Sequence, residues 1–276
     1  MKQILLHPDE VLKGYDVLSE LYPHIPSLSI WRAWEYAAYQ RYQLAEPVLD
    51  LGCGDGRYFH LLWPQINDVI GVDISPEVAE AARQSGVYRE TVAIPAHQLP
   101  FPTERFSSVF ANCSLEHMDH LSDTLKATCR SLHMNGTFLL SVVTEHFIDW
   151  TMLPLLIGRA GERDLAKKIQ NEYEAYHHLT SPFSPEIWVE RLEAGGFEVL
   201  EHIPILPEIT SRLFLFLDQL WHLKTHEGEF GNDMHSFLVG LSEFPRNFRH
   251  VLDGILKMER DWSTGSGAVF WARRVR

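Results

Sequence analysis

The chain has 276 residues, 45% hydrophobic and 22% charged, a balance that buries a sizeable core and excludes disorder over most of its length. Lys and Arg number 24 against 37 Asp and Glu, a formal charge of −13, which argues against broad electrostatic binding to nucleic acid or to an anionic membrane. Three cysteines, Cys53, Cys113 and Cys129, cannot all pair and have no zinc-knuckle spacing, so a reduced, cytoplasmic protein without a metal site is expected.

The first ten residues turn charged before a signal-peptide apolar region could form, and the longest apolar stretch is Leu213–Leu217. A membrane span needs about 20 apolar residues, so none is expected. Residues 1–45 read as a helical cap segment. Trp31, Trp34, Tyr36, Tyr39 and Tyr42 give it an aromatic side that packs on the main domain or closes over a ligand. From Pro47 the pattern changes to short apolar runs alternating with helical stretches, and residues 46–276 read as one domain. Val48–Leu51, Val69–Asp73, Val92–Ile94, Ser108–Ala111 and Thr137–Val143 are the first five strands. Between them lie helices over 57–63, from Ser75-Pro76-Glu77 to Gly86, and over 123–132 with Gly136 as its stop. Helical insertions at about 145–183 and 208–262 flank a helix opened by Ser184-Pro185-Glu186 and closed at Gly195-Gly196, then a sixth strand, Phe197–Ile205. In the first insertion Leu165, Ile169, Tyr173 and Tyr176 mark one apolar helix face. Gly267–Arg273 is a seventh strand. Strands alternating with helices, nearly continuous in apolar residues, predict an α/β, Rossmann-like, doubly wound seven-stranded sheet covered on both faces.

Val48-Leu49-Asp50-Leu51-Gly52-Cys53-Gly54-Asp55-Gly56 carries the chemistry. A buried strand feeds a glycine-rich turn that opens a helix, and the free N–H groups there favour an anionic ligand group. Asp73 ends the next strand, 19 positions after Gly54, where an acid can accept hydrogen bonds from ribose hydroxyls. Together they point to an adenosine-containing cofactor. In the dinucleotide fingerprint the third glycine would fall on Arg57; here it comes one residue early, at Gly56, and no GK[ST] phosphate loop is present, which weighs against NAD and ATP.

The pattern resembles the class I S-adenosylmethionine-dependent methyltransferases, in particular the small-molecule UbiE-like (methyltransferase type 11) group with a D-x-G-C-G-x-G loop. Further along, Gly71–Ser75, Leu99-Pro100-Phe101-Pro102 with Phe106–Phe110, Leu115-Glu116-His117 and Trp188–Phe197 resemble that group's later motifs in order. The resemblance implies that Gly52, Cys53 and Gly54 face the methionine moiety and that Asp50 orients their loop. It implies Asp73 on the ribose, Ile74 against adenine, Ala96 and His97 at the adenine edge, and Asn112 near the methionine end. It departs at Pro95, where relatives carry an Asp that accepts from the adenine amino group, and at Ser107, where Asp is common.

The sulfonium methyl is already activated, so the protein aligns an acceptor and excludes water. A hydroxyl acceptor also needs a general base. His117, Glu145 and His146 follow strands four and five on the ligand-binding edge, and His177-His178 ends the first inserted helix. Arg32, Arg159 and Arg163 are cations that could pair with an anionic acceptor. The apolar Ser211–Leu223 stretch reads as a buried helix, a wall of an acceptor pocket or a homodimer surface. The expectation is methyl transfer to a small, partly hydrophobic acceptor, with oxygen favoured. A NAD-type oxidoreductase and a non-catalytic methyltransferase-fold partner protein stand as the alternatives.

Overall fold

The computed structural model describes residues 1–226 and 228–276. In chain order the elements are β1 (Lys2–Gln3), α1 (Pro8–Leu21), α2 (Pro26–Tyr39), β2 (Val48–Leu51), α3 (Arg57–Leu62), β3 (Val69–Asp73), α4 (Pro76–Ser85), β4 (Glu90–Ala93), β5 (Phe106–Asn112), α5 (Leu121–Ser131) and β6 (Leu132–Val143). They continue with α6 (His146–Asp149), α7 (Leu153–Arg159), α8 (Arg163–His177), α9 (Pro185–Ala194), β7 (Phe197–Ile205), α10 (Glu208–Trp221), the short hairpin β8 (Lys224–Thr225) and β9 (Gly228–Glu229), α11 (Phe230–Val239), α12 (Phe244–Leu256) and β10 (Gly267–Arg274).

Among the described residues the main sheet has eight strands, in the order β1-β7-β10-β6-β5-β2-β3-β4. β10 runs antiparallel to both of its neighbours, and the other pairs are parallel. The expected count of seven is corrected by β1. Lys2 pairs with Glu201 and Gln3 with His202, and Ile4 N–H donates to the His202 carbonyl at 2.9 Å. Two residues carry no periodicity to read, and the edge of β7 offers the backbone groups that capture them.

Local chemistry sets the helix ends. Ser75 and Ser184 cap their helices by accepting from the N–H groups of Val78 and Ile187. Gly86 and Gly196 adopt the positive φ that terminates the chain's helical run. Contrary to expectation, Gly136 does not stop α5. That helix ends at Ser131, and Gly136 lies inside β6, where the register against β5 shifts. β4 also begins at Glu90, two residues before the expected strand.

Two apolar layers cover the sheet. Leu49, Leu51, Ile70 and Val72 point to the layer that holds Leu125, Trp188 and Leu192. Val48 and Val69 point to the opposite layer, with Phe59, Trp63, Trp34 and Tyr39. The second layer is built around α2, which is buried on nearly every side. Trp31 meets Phe147 and Phe214, Trp34 meets Trp262, and Tyr39 meets Phe110 edge-on. A helix apolar all round is stable in such a position because neighbours cover each face. α10 buries Phe214 and Leu215 in this layer, packed on α2. Of the apolar face expected on α8, Tyr173 is buried while Leu165 and Tyr176 are exposed.

α1 crosses α2 at Gly14, where an added Cβ would lie 2.3 Å from the Ala33 carbonyl oxygen. Replacing a glycine inside a helix with alanine ordinarily stabilises by roughly 0.5–1 kcal/mol. Here the clash reverses the sign, and Gly14→Ala is expected to destabilise by about 1–3 kcal/mol. Chemical denaturation reads the difference, and a variant as stable as the parent would refute this close crossing.

Candidate active site

After β4 the chain returns to the far side of β2 and enters β5, so strand order reverses between β2 and β5. Crevices form at the carboxyl ends of strands at such a reversal. A cleft of about 580 Å³ opens there, lined by Gly52, Gly54, Asp73, Ile74, Ala96, His97 and Asn112. A narrower extension of about 140 Å³ reaches Asp50, Cys53 and Tyr58. The expected loop residues therefore come together on one edge.

The turn after β2 holds Gly52, Gly54 and Gly56 at φ of 77°, 56° and 79°. A side chain at Gly52 would strike Ser114 at 2.5 Å, whereas a Cβ at Gly54 would meet nothing within 4 Å, because that position faces the open cleft. The Gly54 N–H donates to Asp73 Oδ2 at 3.3 Å, and Asp73 Oδ1 accepts from Ser75 N–H at 3.0 Å. Two backbone bonds thus aim the Asp73 carboxylate along the cleft floor. Ile74 stands beside it with 72% of its surface exposed, an apolar platform on a polar rim. Asp50 is buried beneath the turn and accepts from the Tyr88 hydroxyl at 2.5 Å. Burial pushes its carboxyl up to about 7; the Tyr88 bond opposes that rise, and the charge of Asp73 adds to it.

Helix α2 supplies the wall opposite the turn. Glu35 is fully buried and pairs with Arg32 at 2.5 Å. Its Oε1 accepts from Ser141 Oγ at 2.7 Å and from Cys113 Sγ at 3.0 Å. Burial works against the charge of Arg32, but Glu35 outweighs it and the guanidinium pKa is raised. Arg32 lines both the cleft and its extension. Arg159 and Arg163 are exposed elsewhere. Asn112 Oδ1 accepts from Tyr39 OH at 2.8 Å, which fixes the amide and turns its Nδ2 donor outward from that bond.

The three expected base candidates separate. His117 lines the cleft, while Glu145 and His146 line a different hollow of about 250 Å³ with Gln3, Glu186 and His202. His146 stacks on Trp150 with ring centroids 4.2 Å apart. His117 Nδ1 lies 3.3 Å from the His178 carbonyl. A carbonyl can only accept, so Nδ1 carries the proton and Nε2 of the neutral ring keeps its lone pair. Burial holds the His117 pKa below its ordinary value. Glu116, its neighbour, is fully buried; Oε1 accepts from Val143 N–H at 3.3 Å, and Oε2 has no hydrogen-bond partner among the described residues. The rim also carries Met118, His120 and His178, with the His97 and His120 rings 4.4 Å apart. Tyr88, Glu35, Ser141 and His120 had no local signal in the chain; long-range packing brings them here.

The family described as a methyltransferase domain matches residues 49–140, the span from β2 through the cleft residues into β6. That stretch is a methyltransferase domain of the S-adenosylmethionine-dependent kind. The demethylmenaquinone methyltransferase of Symbiobacterium thermophilum is 26% identical over 214 residues, 69% of this chain and 83% of that relative. An uncharacterized methyltransferase of Schizosaccharomyces pombe is 33% identical over 103 residues, 34% of this chain and 39% of its own length. A solved S-adenosylmethionine-dependent methyltransferase from Thermotoga maritima, described as a possible histamine N-methyltransferase, superposes with a TM-score of 0.54 at 17% identity, covering 95% of each chain. That likeness speaks for the fold. The protein is a methyltransferase that uses S-adenosylmethionine, and this displaces the NAD-type oxidoreductase and the non-catalytic partner as readings. No helix among the described residues is long and apolar enough to cross a membrane.

In this methyltransferase Glu116 has an unusual titration. Burial, helped by the charge of Glu35, pushes its carboxyl up to about 8 from an ordinary 4.5. Between those two values the folded chain holds a proton that the unfolded chain releases, so stability falls as pH rises through that window. Glu116→Gln removes this loss. Its melting temperature is expected to gain on the parent from pH 5 upward, with the gap levelling off above about pH 8. Parallel melting curves for the two proteins across pH 5–9 would refute the assignment.

Proposed function

We propose that the cleft holds S-adenosylmethionine along the β2–β3–β4 edge and delivers its methyl group to a small acceptor beside His117. The observation that carries this reading is the Gly54–Asp73 pair: a glycine facing open space, with its N–H bonded to a carboxylate aimed down the cleft. In this reading Asp73 accepts from the ribose hydroxyls and Ile74 packs on the adenine. The Ala96 backbone and His97 meet the adenine edge, with the neighbouring His120 ring offering the polar contact that Pro95 lacks. Gly52, Cys53, Gly54 and Asn112 surround the methionine end, and Asp50 holds their turn through Tyr88. Arg32, in the narrow extension, pairs with the methionine carboxylate. Bound there, S-adenosylmethionine supplies an activated sulfonium methyl.

The acceptor we infer is small and partly hydrophobic, methylated on oxygen. Met118 and Cys113 give its place an apolar component, and His117 Nε2 offers the base that a hydroxyl needs. A relative named for demethylmenaquinone fits a partly hydrophobic acceptor and says nothing for oxygen. α1, α2 and the helices of 145–183 and 208–262 act as one cap over this domain, with a cytoplasmic location read from the three free cysteines.

Calorimetric titration of S-adenosylmethionine tests the cofactor half. Micromolar binding is expected, weakened tenfold or more (about 1.4 kcal/mol) by Asp73→Ala. Unchanged affinity in that variant would overturn the ribose role. For the acceptor half, His117→Asn is expected to lower kcat by roughly 10²–10⁴-fold with a hydroxylated acceptor. Its affinity for S-adenosylmethionine should stay within about threefold of the parent, since the ring touches the acceptor side of the cleft. Full turnover in that variant would remove His117 as the base.

A further inference from the structure

Away from the cleft, the C-terminal end of α8 meets the C-terminal half of α10. His177 Nε2 lies 3.1 Å from Asp218 Oδ2, and His222 Nε2 lies 3.8 Å from Asp218 Oδ1. One ligand atom from each of the three residues falls within 4.8 Å of the other two. A tetrahedral zinc ion with bonds of about 2.0–2.2 Å spaces its ligand atoms by roughly 3.3–3.6 Å, so the three groups, already converging within 4.8 Å, close onto an ion by side-chain adjustments of about 1 Å. We propose that His177, Asp218 and His222 bind one divalent transition-metal ion, zinc by the chemistry of its two imidazoles and one carboxylate, and that this ion clamps α8 to α10.

Further observations support the site. Tyr173 OH donates to Asp218 Oδ2 at 2.8 Å, which orients the carboxylate as an outer partner of a metal ligand does. His222 Nδ1 is buried without a hydrogen-bond partner among the described residues and stands 3.7 Å from Glu229 Oε2. That is the carboxylate–histidine–metal order in which the distal nitrogen of a ligating imidazole faces an acid. Asp218 is buried between the two imidazoles, a position that suits a cation. The ligands come from segments separated by the whole of α9 and β7, and Asp218 on α10 and His222, which caps the end of that helix, sit one turn apart on the same side. The site is structural: it joins two helical segments, and α8 runs directly into His178, whose carbonyl accepts from His117.

The test is metal titration of the chelator-stripped full chain against a competing indicator. One zinc per chain with a dissociation constant below about 1 µM is expected. Cobalt in its place should give a visible spectrum of nitrogen and oxygen ligation without a thiolate band, since the three cysteines lie elsewhere. His222→Gln and Asp218→Asn are expected to weaken binding at least a hundredfold, and Glu229→Gln by about 10–100-fold. Circular dichroism identifies the variants that still fold, and saturating zinc should raise the melting temperature of the parent and leave folded His222→Gln unmoved. Less than half an equivalent bound at micromolar zinc would overturn the proposal. So would tight binding that survives in His222→Gln, because another of the 15 histidines would then be the ligand. If the variants do not fold, the stoichiometry and cobalt spectrum of the parent decide it.

Discussion

A single buried charge organises the site. Glu35 is carried by α2 into the protein interior, where an unpaired carboxylate would cost several kcal/mol. It is tolerated because Arg32 on the same helix, Ser141 from β6 and Cys113 at the end of β5 all converge on it. Those partners come from three parts of the chain. Satisfying Glu35 therefore sets where α2 lies over the carboxyl ends of the central strands, and that placement makes the wall of the cleft. Tyr39, one turn further on, uses the same docking to hold Asn112.

The aromatic composition of α2 serves the same end. Trp31, Trp34 and Tyr39 each contact different elements, so the helix is a shared core for the sheet and for the helices outside it. Aromatic pairs add modestly to the area they bury, and their directionality favours one seating of the helix. The apolar stretch at 211–223 belongs to this logic. Its residues Phe214 and Leu215 are consumed against α2, and the stretch does not line the cleft.

Two carboxyls near the cleft, Asp50 and Glu116, are pushed toward the neutral form by burial, yet they are handled differently. Asp50 has the Tyr88 hydroxyl and holds the glycine turn through it. Glu116 keeps one oxygen without a partner among the described residues, while its own carbonyl accepts from the Thr180 and Ser181 N–H groups. That backbone pairing, with the His117–His178 contact, ties the segment after α8 to the rim. The position of His117 thus depends on a part of the chain more than sixty residues away.

What the chain's order of residues determined by itself is the local machinery. The D-L-G-C-G-D-G turn, Asp73 at the end of the next strand, the serine caps at 75 and 184 and the alternation of apolar runs with helices are all contiguous signals. Backbone conformation and strand order follow from them with little help from distant residues, and the loop residues from Asp50 to Asn112 duly meet along one edge. Tertiary structure alone decided the rest. It paired Lys2–Gln3 with an open strand edge, drew Arg32 and not Arg159 or Arg163 into the cleft, and parted His117 from Glu145 and His146 although all three follow neighbouring strands. It also joined His177 to Asp218 and His222. Each of these is a meeting of side chains far apart in sequence, specified by which buried polar groups need partners and which apolar faces need cover, and no short window of residues carries that information.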